Sequence, residues 1–183
     1  MKRQQFIYVG RMKFEGQKRV KDLLDGLSQA KGNWKLHVLG DGSDFEKCQA
    51  YGRELNIDDR IVWYGWQQYP WELVQQDIEK VSALLLTSSF EGFPMTLLEP
   101  CRGGFLVSVP IVSPGLLTLF NLIQWPSVST WRYCWFVTLL NKYIAGEIHI
   151  EHEKIPASID EFYQSKYYDR LHKVIISAIS RRK

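Results

Sequence analysis

Three short apolar runs end in glycine: Phe6 to Gly10 (FIYVG), Leu36 to Gly40 (LHVLG) and Ile61 to Gly65 (IVWYG). Between them lie segments of helical period. Val20, Leu23, Leu24 and Leu27 follow the i, i+3, i+4, i+7 spacing of an amphipathic helix, and Phe45, Cys48, Tyr51 and Leu55 line one face of a second. A weaker helix is expected from about Trp71 to Ile78, then a fourth strand from Val81 to Leu86. That last run is almost continuously apolar, as a strand buried on both faces must be. Strands alternating with helices at this spacing predict an α/β fold, a Rossmann-like parallel sheet flanked by helices. In such sheets ligands bind beyond the carboxyl ends of the strands. Attention therefore falls on the loops Arg11 to Lys18, Asp41 to Ser43 and Thr87 to Glu99.

Composition narrows the classes. The chain has 183 residues, 45% hydrophobic and 23% charged, which suits one ordinary globular domain and excludes collagen-like, disordered and coiled-coil chains. A formal net charge of +3 without a clustered basic stripe argues against nucleic acid as a partner. Three widely spaced cysteines, Cys48, Cys101 and Cys134, provide neither a disulfide framework nor a zinc site. The opening MKRQQFIYVG enters a strand rather than a long apolar run, so no signal peptide and a cytoplasmic location are expected.

The loop after the fourth strand carries the strongest chemical signal. It reads Thr87-Ser-Ser-Phe-Glu91-Gly-Phe-Pro94-Met-Thr-Leu-Leu-Glu99, with two carboxylates eight positions apart. Pro94 suits the first turn of a helix, where its missing N–H costs nothing. The N–H groups of Met95 and Thr96 would then form a site for an anion such as a diphosphate. Glu91 stands where it could accept hydrogen bonds from sugar hydroxyls. A plain helix start with a solvated Glu99 is the alternative.

Glu91-Gly-Phe-Pro with Glu99 resembles the E-x7-E signature of retaining glycosyltransferases of the GT-B fold, a family that includes sucrose synthases and many bacterial lipopolysaccharide transferases. Other segments agree in order. Val9-Gly10-Arg11 with Glu15-Gly16-Gln17-Lys18 resembles the family's first strand and diphosphate-binding basic pair. Leu39-Gly40-Asp41-Gly42 resembles its second glycine loop, and Ile61 to Trp66 its third strand. The likeness covers residues 5 to 99 and, more weakly, 136 to 183. It implies the C-terminal, donor-binding half of a GT-B fold, with the N-terminal acceptor domain absent.

What the resemblance assigns is specific. Arg11 and Lys18 neutralise the donor diphosphate, Glu91 holds the transferred sugar as the catalytic residue, and Glu99 holds the ribose. Gly92, Phe93, Pro94, Met95 and Thr96 complete the donor site. One departure stands out, since Glu15 occupies the place before Gly16 where the family has Lys, which leaves Lys18 as the substitute. The implied donor is UDP-galactose or a related nucleotide sugar, and the implied acceptor is a glucose of the lipopolysaccharide core, reached through the absent domain. Transfer would retain the anomeric configuration and need no metal or other cofactor. Gly40-Asp41-Gly42 lacks the third glycine of a dinucleotide fingerprint, which argues against NAD. Two alternatives remain open: a truncated or frame-shifted remnant without function, and a nucleotide-binding module without catalysis of its own.

From Pro100 to Gly146 there is no Asp or Glu, three of the seven tryptophans fall between Trp125 and Trp135, and from Phe136 (FVTLLNKYI) the chain reads as helix again. The family pattern of Gly-x-Pro, Asn-Gly and Pro-Gly-Asp loops is missing from 100–135. Synonymous codons exist whose other reading frames restore those loops, so three single-base losses would explain the stretch, and local misfolding would follow. The nucleotide sequence between the codons for Glu99 and Phe136 decides it, because other frames that lack those loops would refute the frameshift.

The remaining candidates are weaker. Phe105 to Trp125 is long and apolar enough to span a bilayer, but Pro110, Pro114, Gly115 and Asn121 interrupt it. His37 is expected in the core or at a strand edge, and His149, His152 and His172 at the surface. Trp63, Trp66 and Trp71 either stack on a base or sugar or pack at strand ends. Lys166, Arg170, Lys173 and Arg181 on a last amphipathic helix either touch an anionic membrane surface peripherally or face water.

Overall fold

The computed structural model describes residues 3–78, 80–89, 107–108, 132–147 and 172. The chain runs β1 (Gln4–Val9), α1 (Val20–Ser28), β2 (Trp34–Leu39), α2 (Phe45–Glu54), a 3-10 turn (Asp58–Arg60), β3 (Ile61–Gly65), α3 (Pro70–Asp77), β4 (Val81–Leu85), β5 (Val107–Ser108) and α4 (Arg132–Ala145). All pairings are parallel, in the order β3-β2-β1-β4-β5. The expected strands and first three helices are present, with ends shifted by one or two residues. Of 100–135 two pieces are described: Val107–Ser108 pairs with Leu84 and Leu85, and the helix expected from Phe136 begins at Arg132.

The middle of the sheet is covered on both faces. Phe6, Ile7 and Tyr8 of β1 are buried, as is all of β4, so consecutive side chains on opposite sides avoid water. Right-handed crossovers assign α1 and α2 to one face and α3 to the other. α1 presents Val20, Leu23, Leu24 and Leu27 inward, the four positions its spacing predicted. At roughly 1.5–3 kcal/mol for each fully buried aliphatic side chain, this stripe is what holds a nine-residue helix in place.

α4 seats Phe136 against Gly26 of α1, where an added Cβ would run into the Phe136 ring. Its Tyr143 hydroxyl donates to the Ser82 carbonyl at 2.9 Å. Ser82 sits at a register shift between β1 and β4. Its hydroxyl accepts the Gln5 N–H at 3.0 Å, giving a backbone donor at the irregularity a partner.

His37 lies in β2 and is buried, as its position in a strand predicted. Its ring nitrogens meet the Tyr64 hydroxyl at 3.0 Å and the Gln5 amide oxygen at 2.9 Å. Burial first, then the charges of Lys35 and Arg3, pushes its pKa down to about 4. Between pH 6.5 and 4 the unfolded chain therefore binds a proton that the folded chain refuses, and stability falls as the pH falls through that window. Denaturant titrations at pH 7 and pH 4 should show roughly 2–3 kcal/mol less stability lost in His37→Gln than in the parent. Equal losses in both proteins would exclude His37 as the cause.

A cationic groove at the switch point of the sheet

The chain leaves β1 toward β2 on one side and later returns to β4 on the other, so the crevice of this sheet opens beyond β1 and β4. The loop after β1 borders it and faces the start of α2 on its other side. Arg11, Lys13, Phe14, Glu15, Gly16, Gln17 and Lys18, with Asp44 and Lys47 at the start of α2, line an open groove of about 400 Å³. Among the described residues, four cations face two carboxylates there.

Two glycines let the loops after β1 and β2 lie backbone against backbone. The Gly10 N–H donates to the Leu39 carbonyl and the Met12 N–H to the Asp41 carbonyl, each at 3.0 Å. Gly40 has φ 140, and a Cβ there would collide with the Gly10 carbonyl. A Cβ on Gly42 would stand 2.6 Å from the Met12 carbonyl oxygen. Close approach explains this Gly-Asp-Gly without any ligand.

The first N–H groups of α1 are already used. Val20 and Lys21 donate to the carbonyls of Lys13 and Phe14, both at 3.0 Å, because the loop folds back over the helix start. Positive charge in the groove therefore comes from side chains. Asp44 precedes α2 but does not cap it; its carboxylate accepts the Phe14 N–H at 3.0 Å. That bond first, then the Ser43 hydroxyl and the charges of Lys13 and Lys47, holds its carboxyl below the usual range. Lys13 donates to the Ser43 hydroxyl at 2.7 Å, and the Lys47 ammonium stands 4.2 Å from the centre of the Phe14 ring. Both long cations thus brace the outer wall.

The structure brings Arg11 and Lys18 to one groove. Arg11 is exposed, whereas Lys18 is only 9% exposed, more enclosed than a solvated loop lysine. Glu15 lines the same groove, so the acidic departure from the family pattern is part of the site's surface. Glu91, Gly92, Phe93, Pro94, Met95, Thr96 and Glu99 lie outside the described residues. Their approach is described, because the Ser89 N–H donates to the Gln17 carbonyl at 2.7 Å. Sequence reasoning missed Lys13, Asp44 and Lys47 in the wall. Asp44 had a signal, a helix-start aspartate, but its real partner is 30 residues away.

Among the described residues, no cluster of His, Cys, Asp and Glu could hold a metal ion, and no helix is long and apolar enough to cross a membrane. Trp63 and Trp71 are partly buried against the core, whereas Trp66 is 70% exposed. His172 is exposed, as predicted. The segment 105–125 apart from Val107–Ser108, the remaining histidines and the C-terminal basic residues lie outside the described residues. Cys48 is buried, which raises its pKa to about 11 and leaves the thiol protonated.

The family model described as glycosyl transferases group 1 matches residues 1–113, more than half of the chain. The chain belongs to this family. A relative from Escherichia coli (strain K12), named lipopolysaccharide 1,6-galactosyltransferase, is 81% identical over 97% of this chain and 50% of its own length. The protein of the same name from Salmonella typhimurium is 50% identical over 96% and 49%. This glycosyltransferase chain thus spans about half the length of the curated relatives it matches. Among solved structures, the apo form of the lipopolysaccharide outer core galactosyltransferase WaaB superposes with a TM-score of 0.87 at 49% identity, covering 96% of this chain and 49% of that one. A Staphylococcus aureus TarM mutant superposes at 0.70 with 14% identity over 92% of this chain and 35% of that one, a likeness of fold alone. The α/β architecture is that of the GT-B glycosyltransferases.

The close approach of the two loops predicts that Gly42→Ala destabilises the chain by about 1–3 kcal/mol, since the Met12 backbone has to move. Thermal unfolding checks it, and an unchanged midpoint would mean the loops are not in contact.

Proposed function

We propose that this chain is the donor-binding part of a glycosyltransferase. It takes UDP-galactose or a related nucleotide sugar at the groove lined by the loop after β1 and the start of α2. In the complete enzyme, galactose would pass to a glucose of the lipopolysaccharide core with retention of configuration. One observation carries the reading: Arg11 and Lys18, both on the loop after β1, line one groove at the carboxyl end of a parallel sheet, the end where such sheets take phosphorylated ligands. The 81% identity to a lipopolysaccharide 1,6-galactosyltransferase supports the choice of galactose and of the acceptor.

In this reading Arg11 and Lys18 neutralise the diphosphate, aided by the N–H groups of Met95 and Thr96 behind Pro94. Glu91 holds the transferred sugar and Glu99 the ribose, with Gly92 and Phe93 between them. The diphosphate leaves against fixed positive side chains, a role that requires no metal. A lipid-linked acceptor fits work at the cytoplasmic face of a membrane, touched peripherally.

Arg11→Ala should weaken UDP binding by at least about 1.5 kcal/mol, and the parent's affinity should fall with salt. Calorimetry that finds equal affinity in parent and mutant would remove Arg11 from the site. In a chimera carrying the other half of the E. coli relative, Glu91→Gln should lower turnover far more than UDP binding. Normal turnover would release Glu91 from its role.

A further inference from the structure

The end of β4 and the loop after β1 are joined by a dense set of hydrogen bonds. The Thr87 hydroxyl is buried, 3.1 Å from the Lys18 carbonyl oxygen and 2.9 Å from that of Arg19. It has a single proton, so the two carbonyls share it. Two residues on, the Ser89 hydroxyl lies 3.0 Å from the Gly16 carbonyl and 3.3 Å from that of Gln17, which also accepts the Ser89 N–H at 2.7 Å. Four successive carbonyls, those of Gly16 to Arg19, are thus held from one three-residue segment.

The turn they hold needs holding. Arg19 has φ 49, in the left-handed region that a residue with a Cβ enters reluctantly, and Gly16 has φ 80. Among the described residues, nothing stands within 4 Å of where a Gly16 Cβ would lie. Thr87 is not among the residues lining the groove. It reaches the site only through the backbone that carries Lys18.

We propose that Thr87 and Ser89 are positioning residues, which clamp the Gly16–Arg19 turn to the exit of β4 and so keep the Lys18 ammonium where the donor diphosphate sits. The inference rests on the donor reading above. It goes beyond that reading by naming residues that contact no ligand and yet set its affinity.

Three proteins test it in the full chain: Thr87→Val, Thr87→Ser, and Thr87→Val combined with Lys18→Met. UDP affinity should fall about tenfold in Thr87→Val, which keeps the shape and loses the proton, and return in Thr87→Ser. In the Lys18→Met background Thr87→Val should cost little more, because the group it positions is gone. Amide exchange at residues 16–19 should quicken in Thr87→Val while that of Leu23 and Leu24 stays as in the parent. Parent-like affinity in Thr87→Val, or an undiminished loss in the Lys18→Met background, would overturn the positioning role. Unchanged exchange at 16–19 would overturn the clamp alone. A parent chain with no affinity for UDP, together with quickened exchange in Thr87→Val, would overturn the donor reading and with it the purpose of the clamp.

Discussion

The loop that lines the groove leaves β1, which is flanked by β2 on one side and β4 on the other, both parallel to it. Helices covering both faces require strands that avoid water on both sides, and Phe6 to Tyr8 with the whole of β4 meet that demand. Reversal of strand order at β1 leaves a crevice that no crossover fills, and the loop after β1 must settle into it. Burial of the central strands is thus the condition for everything at their carboxyl ends.

Within the crevice the chain forgoes one common device. In many nucleotide-binding units a helix start receives the phosphate, but the α1 start is already occupied by the carbonyls of Lys13 and Phe14. Charge is supplied instead by Arg11 and Lys18, and long side chains need a fixed backbone to be effective. The glycines at 40 and 42 let the loop after β2 brace the loop after β1 from one side, at Gly10 and Met12. Thr87 and Ser89 brace it from the other.

Much of this was legible in the residues themselves. Period and length located the four long strands and first three helices, since an apolar run ending in glycine and a 3.6-residue stripe each have one economical use in a soluble domain. Arg11 and Lys18 were singled out through the family pattern, and the fold brings both to one groove. The wall formed by Lys13, Asp44 and Lys47 was not legible, because it depends on a contact between Phe14 and Asp44 that no local periodicity encodes. Nor was the clamp, whose partners lie 68 to 73 residues apart along the chain. The start of α4 was placed four residues late, since Arg132 to Trp135 continue a helix whose apolar stripe becomes regular only at Phe136, Leu140 and Ile144.

The claim that the crevice beyond β1 and β4 receives a nucleoside diphosphate is tested most directly by titrating the isotope-labelled chain with UDP and following its backbone amide resonances. The account predicts shifts concentrated at residues 10–18, 40–44 and 87–89, saturating together with one dissociation constant and weakening with salt. Shifts gathered at the amino ends of the strands, or none at millimolar UDP, would contradict it.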